Sequence, residues 1–165
     1  MNATRLIAVA ALALLSACSK DASVAPVAEQ AAAGHAVTLY FSAAEGLNPG
    51  ASGVPAPVRV RIYELKNSAA FARADYFALA ERAQATLGAD LIDQDEVLLQ
   101  PGGQLRLERP LDPATRHIGL VVGYREIDQA QWRSVLPVPP RDYQISLDVR
   151  AVRSAVATSQ PEPAR

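Results

Sequence analysis

Residues 58 to 65 read VRVRIYEL, and that order constrains the fold more than any other stretch of the chain. Wound into a helix, Val60 would fall on the side opposite Val58 and Ile62. In a strand they share one face and leave Arg59 and Arg61 on the other. Residues 36 to 42 (AVTLYFS) repeat the period, with Val37, Leu39 and Phe41 on one side and Thr38, Tyr40 and Ser42 on the other. Both read as half-buried strands belonging to a sheet wetted on one face. Shorter runs follow at 96–99, 105–107, 117–124, 132–137 and 143–152. Turn chemistry divides them at Pro101-Gly102-Gly103, Asp112-Pro113-Ala114 and Pro139-Pro140-Arg141-Asp142. About seven short strands punctuated in this way predict a mainly β chain folded as a two-sheet sandwich.

One segment breaks the period. From Ser68 to Gln84 (SAAFARADYFALAERAQ) the residues are good helix formers. Asp75 is placed to cap a helix, Tyr76, Leu79 and Ala83 fall on one face of it, and Gly88 is a natural stop. The expectation is one or two short helices inserted between the second and third strands and packed on the sandwich.

The first residues belong to something other than this domain. Arg5 precedes an apolar run, Leu6 to Leu15, that is too short to cross a bilayer comfortably as a mature helix and reads as a signal peptide over residues 1–17. It ends Leu15-Ser16-Ala17-Cys18, and Cys18 is the only cysteine in the chain. This resembles the lipobox of bacterial lipoproteins, which implies cleavage before Cys18, a diacylglycerol thioether on its thiol and a further acyl chain on its amine. A thiolate is the nucleophile suited to that bond, and several acyl chains hold a protein on a membrane almost permanently. Ser19 in place of an acidic residue after the cysteine implies sorting to the outer membrane, with the domain on the periplasmic face. Residues 18–34 form the acylated anchor and an alanine-rich flexible tether. The sandwich is expected over 35–153, and 154–165 as a disordered tail. With its one thiol alkylated, the domain must be stabilised by its core rather than by disulfides.

Groups able to do chemistry are scarce. His35 and His117 stand far apart with no metal-ligand spacing, and Asp90, Asp93, Asp95 and Glu96 lack the pattern of a calcium loop. They read as a solvated connection or strand entry. No nucleophile elbow or phosphate-binding glycine loop is present in the sequence. No catalytic residue, metal site or cofactor is therefore expected, apart from the covalent lipid on Cys18. Trp132 reads as a packing residue or, in a competing view of a ligand-binding lipoprotein, as part of a platform for a carbohydrate or peptide. Arg125 and Asp128 are expected to tie the Tyr124 to Trp132 corner together. Net charge is −1, with lysine and arginine scattered, so nucleic acid is not an expected partner.

The unusual feature is the connection from Glu45 to Pro57 (EGLNPGASGVPAP), far longer than a hairpin needs. It carries three glycines (Gly46, Gly50, Gly53) and three prolines (Pro49, Pro55, Pro57) that stiffen it in places. Between them lie Glu45, Leu47, Asn48, Ala51, Ser52, Val54 and Ala56. Long loops on rigid sandwiches often carry binding.

Three blocks, in order behind the lipobox, carry a family resemblance. They are Leu47-Asn48-Pro49 through Pro57 to Lys66, Phe71 through Asp75-Tyr76-Phe77 to Leu91, and Gly119 through Tyr124-Arg125-Glu126-Ile127-Asp128 to Arg133. The chain resembles the TssJ (SciN) family, outer-membrane lipoproteins of type VI secretion systems. The resemblance implies a transthyretin-like sandwich with added helices and a non-catalytic role. The implied partner is the periplasmic C-terminal domain of TssM, with TssL reached indirectly through the membrane complex. It also implies that the contact uses the first interstrand loop, here Glu45 to Pro57, with Leu47, Asn48 and Pro49 as its tip or shoulder.

Overall fold

The computed structural model describes residues 36–158. The signal peptide, Cys18, the tether, His35 and residues 159–165 lie outside the described residues. Among the described residues, eight strands form two four-stranded sheets. The first sheet carries the order β4 (Gln104–Pro110), β1 (Ala36–Ala43), β7 (Asp142–Leu147), β8 (Val152–Val156), and the second β3 (Leu91–Leu99), β2 (Val58–Leu65), β5 (His117–Val122), β6 (Arg133–Pro137). All pairings are antiparallel except β1 with β7.

The alternations hold: Val37, Leu39 and Phe41 of β1 meet Val58, Val60 and Ile62 of β2 in one buried cluster between the sheets. The two strands nevertheless belong to opposite sheets and not to one. That corrects the single-sheet reading and explains the long connection after β1, which must cross the ~10 Å between packed sheets instead of turning back in place. The second sheet is wetted over only part of its outer face, at Arg59 and Glu96. Elsewhere on that face Tyr63 and Leu65 of β2 and Val121 of β5 are buried beneath α1 (Ala69–Arg73) and α2 (Tyr76–Leu87).

Two further boundaries differ from expectation. The run 143–152 is two strands, split at Asp148 to Ala151, and Ser154 to Val156 pair with Tyr143 to Ile145. The segment assigned to a disordered tail therefore begins as an edge strand, because Val152 is buried on the core and holds the chain in register. Asp93, Asp95 and Glu96 of the acidic run lie within strand β3, Asp90 in the turn before it, with Asp93 and Asp95 on the inward parity of the pairing with Glu64 and Ile62.

The helices form as their sequence dictates. Asp75 accepts a bond from the Ala78 N–H at 2.8 Å, and Gly88 ends α2 with φ +53°. Within α2, Arg82 leaves helical geometry (φ −135°, ψ 36°). Side chains serve the carbonyls around that kink: the single Thr86 hydroxyl proton is within reach of both the Ala78 and Arg82 carbonyls, at 3.0 and 2.9 Å, and the Tyr63 hydroxyl donates to Leu79 at 2.9 Å. Burial pushes the Tyr63 phenol up to about 12, which keeps it a donor at any ordinary pH. Arg133 fastens the pair of helices to the sheet by donating to the Phe71 and Ala74 carbonyls.

Phe71 reaches the sheet only because residue 119 is glycine. A Cβ there would stand 2.6 Å from Phe71 Cζ, and Phe71 is fully buried with no room to retreat. Gly119→Ala is expected to cost about 1–3 kcal/mol by overpacking, and adding Phe71→Leu should restore part of it. Urea titrations of both variants check this; a loss below about 0.5 kcal/mol in the single variant, within the range of ordinary surface changes, would mean the helices ride loosely on the sheet.

The topology gives the sandwich two unlike ends. The chain enters at Ala36, and β8 finishes beside Tyr143 at that same end. At the other end lie the connections 44–57, 100–103, 123–132 and 148–151.

Candidate docking surface

The first interstrand loop is held by its root. Leu47 is fully buried in the core between the sheets, and the Leu47 carbonyl accepts from Ala56 N–H at 3.0 Å, closing the loop on itself. Asn48 is 3 % exposed and sits at φ +52°, a left-handed conformation that asparagine tolerates better than most side chains. Its amide donates to the Pro57 carbonyl at 2.8 Å while its Oδ1 accepts from the Arg125 backbone N–H at 2.7 Å. Its own N–H bonds the Val149 carbonyl at 3.0 Å. One side chain and its backbone thus join three loops.

Leu47, Asn48 and Pro49 are all buried, so they are the shoulder of the loop and not its tip. Gly50 to Gly53 close a turn at 2.8 Å, with Gly53 at φ +74°. The exposed stretch is Ala51, Ser52, Gly53, Val54 and Pro55, and Val54 is 60 % exposed. Glu45 is exposed at the loop's entrance, whereas Gly46 lies under Val149, whose Cγ2 is 3.6 Å from where a Cβ would be.

The neighbouring loops are tied as firmly. Tyr124, buried against the core, donates to the Asp148 carbonyl at 3.3 Å, and desolvation, with a smaller push from Asp148, raises its pKa. Gln131 N–H bonds the Arg150 carbonyl at 2.8 Å, and Arg150 pairs with Glu126. The 100–103 turn leans on the same root through Gly102 N–H to the Ala44 carbonyl at 3.1 Å. The expected Arg125–Asp128 tie is absent among the described ion pairs; Glu126 and Arg150 tie this corner instead.

The other sequence candidates lie elsewhere. Trp132 meets Tyr76 edge-on at 5.5 Å, and the Arg133 guanidinium lies 4.7 Å from its ring centre, so its faces are engaged in packing. Asp93 and Asp95 reach Arg109 at the opposite end. His117 begins β5, with its Nδ1 buried and unbonded.

At the loop end, then, Asn48, Tyr124 and the Glu126–Arg150 pair hold the loops still, while the first loop turns the small and apolar side chains from Ala51 to Pro55 outward. Ordering has been completed before any partner arrives, which lowers the entropic cost of association. Such an arrangement defines a class of protein, a β-sandwich with a preformed, firmly held loop surface at one end.

Residues 35–153 match the family model described as type VI secretion lipoprotein, VasD, EvfM, TssJ. The chain belongs to this family of type VI secretion lipoproteins. It is similar to the T6SS lipoprotein TssJ1 from Pseudomonas aeruginosa, with 47 % identity over 76 % of this chain and 98 % of that one, at a TM-score of 0.73. A chain in a structure of the type VI membrane complex is 34 % identical over 72 % of this chain and 96 % of that one, at a TM-score of 0.68. Another, in a structure of the T6SS protein TssM C-terminal domain from EAEC, is 34 % identical over 74 % and 98 % respectively, at a TM-score of 0.65. Among curated proteins no match was found. The two-sheet sandwich with inserted helices is the fold of these relatives.

Sequence reasoning found the loop but missed its two companions. Nothing in Arg125 or Val149 marks them as neighbours of Asn48, since the contacts span most of the chain. Loop length was the available signal, and crossing between sheets accounts for part of it.

Proposed function

We propose that this protein is a non-catalytic tether of the type VI secretion membrane complex. It hangs on the periplasmic face of the outer membrane by the lipid on Cys18 and docks its loop end onto the periplasmic C-terminal domain of TssM, reaching TssL through that assembly. The observation that carries this reading is the position of the Asn48-strapped loop at the end of the sandwich opposite Ala36, where the tether joins. A domain hung from a membrane by that tether presents the loop away from the lipid. The occurrence of a 34 % identical chain in a structure of the TssM C-terminal domain supports the same partner.

Removing the loop whole is a poor test, because it would delete the buried Leu47 and Asn48. Replacing Ala51 to Pro55 with glycine and serine at equal length leaves that root in place. The variant is expected to keep its thermal midpoint within a few degrees and to bind the TssM domain at least about tenfold more weakly, read by calorimetry on the acylated protein. Unchanged affinity in a folded variant would refute the loop as the docking element.

A further inference from the structure

Two arginines lie in the loops of this end, and they differ. Arg150 is neutralised by Glu126. Arg125 is exposed and, among the described residues, its guanidinium has no carboxylate within ion-pairing distance, although Asp128 is only three positions away. Its side chain lies along the first loop: a Cβ at Gly50 would sit 3.2 Å from Arg125 Nη1 and 3.6 Å from its Cδ. On the loop's other flank Val149 covers Gly46 and remains 40 % exposed. An unpaired cation and an exposed valine therefore bracket the first loop, both fixed through Asn48.

Resting on the docking role proposed above, we infer that Arg125 and Val149, from the 123–132 and 148–151 connections, are contact residues of the same surface. The TssM domain presents a carboxylate to Arg125 and an apolar surface to Val149 and Val54. A charge left unpaired at the rim of a preformed surface steers and selects an oppositely charged partner. Gly50 lets the guanidinium lie this close to the loop, since a Cβ there would make a tight contact with Arg125 Nη1.

Side-chain substitutions at Arg125 are clean probes, because the bond to Asn48 uses the Arg125 backbone N–H. Acylated full chain in detergent micelles is titrated with the TssM domain at low and at high salt. Arg125→Ala is expected to weaken binding about tenfold at low salt and to flatten its salt dependence, and Arg125→Glu to weaken it further. Val149→Ser should weaken binding without changing the salt slope, and Asp128→Ala should leave both unchanged. Wild-type affinity and salt slope in Arg125→Glu would overturn the inference. If the Ala51 to Pro55 replacement abolishes binding while Arg125→Glu and Val149→Ser do not, this inference falls and the loop reading stands. If the replacement also binds normally, both fall.

Discussion

Replacing Arg109 by methionine is expected to lower the folding stability by about 3–5 kcal/mol, the cost of leaving a buried charge without its partner. Arg109 on β4 and Glu64 on β2 come from opposite sheets and meet at 2.7 Å, 9 % and 3 % exposed respectively. The other carboxylate oxygen accepts from Thr115 Oγ1 at 2.9 Å and from Asp112 N–H at 3.2 Å, so Glu64 is fully engaged. Asp93 and Asp95 complete the guanidinium, but both are more than half exposed and screened by water, so their share is small. The pair pins the two sheets together at the end where the chain enters. Without Arg109, Glu64 keeps its two donors and loses its countercharge. The double variant Arg109→Met with Glu64→Gln should recover much of the loss, because it removes the stranded charge as well. Urea unfolding of both variants makes the comparison. A loss under about 1 kcal/mol in the single variant would put the pair in the class of solvent-exposed ion pairs.

Asn48→Ala should cost about 2–4 kcal/mol and, unlike Arg109→Met, should also weaken partner binding. Two contributions combine. The Pro57 carbonyl and the Arg125 N–H lose their partners at a nearly buried site, at about 1–3 kcal/mol for an unsatisfied group. Alanine at a left-handed φ adds about 1–2 kcal/mol of strain. Asn48→Gly relieves the strain alone, so the difference between the two variants isolates the backbone term. Binding suffers because a loop no longer strapped to its neighbours must be ordered by the partner at the moment of contact. Asn48→Ala with wild-type stability and wild-type affinity would show that the loop is held by something other than this side chain.

These variants also mark where sequence reasoning stopped. Asp75, Tyr76, Leu79, Ala83 and Gly88 announce the second helix because capping and helical period are local properties, fixed within a few residues. By the same token, the alternation in β1 and β2 correctly assigns Val37 to Phe41 and Val58 to Ile62 to the core. Alternation reports which way a side chain faces and says nothing of which strand lies alongside. Hence two strands read as companions lie in opposite sheets, and the loop between them is long partly because it must cross. Strict parity continues inward to Glu64, where a carboxylate looks out of place until Arg109, 45 residues later, is seen beside it.

What the sequence determined by itself was therefore most of the elements, the inward faces of β1 and β2, the family, and the loop on which recognition was expected to rest. All of these follow from short-range periodicity, capping, turn chemistry and ordered motifs. Only the tertiary structure decided that Leu47, Asn48 and Pro49 are a buried shoulder, that Arg125 and Val149 flank the loop, and that among the described residues Arg150 has an ion-pair partner while Arg125 has none. Those facts depend on contacts such as the one between Asn48 and Arg125, 77 positions apart. No local pattern encodes such a contact, because it exists only once two sheets have closed on a common core.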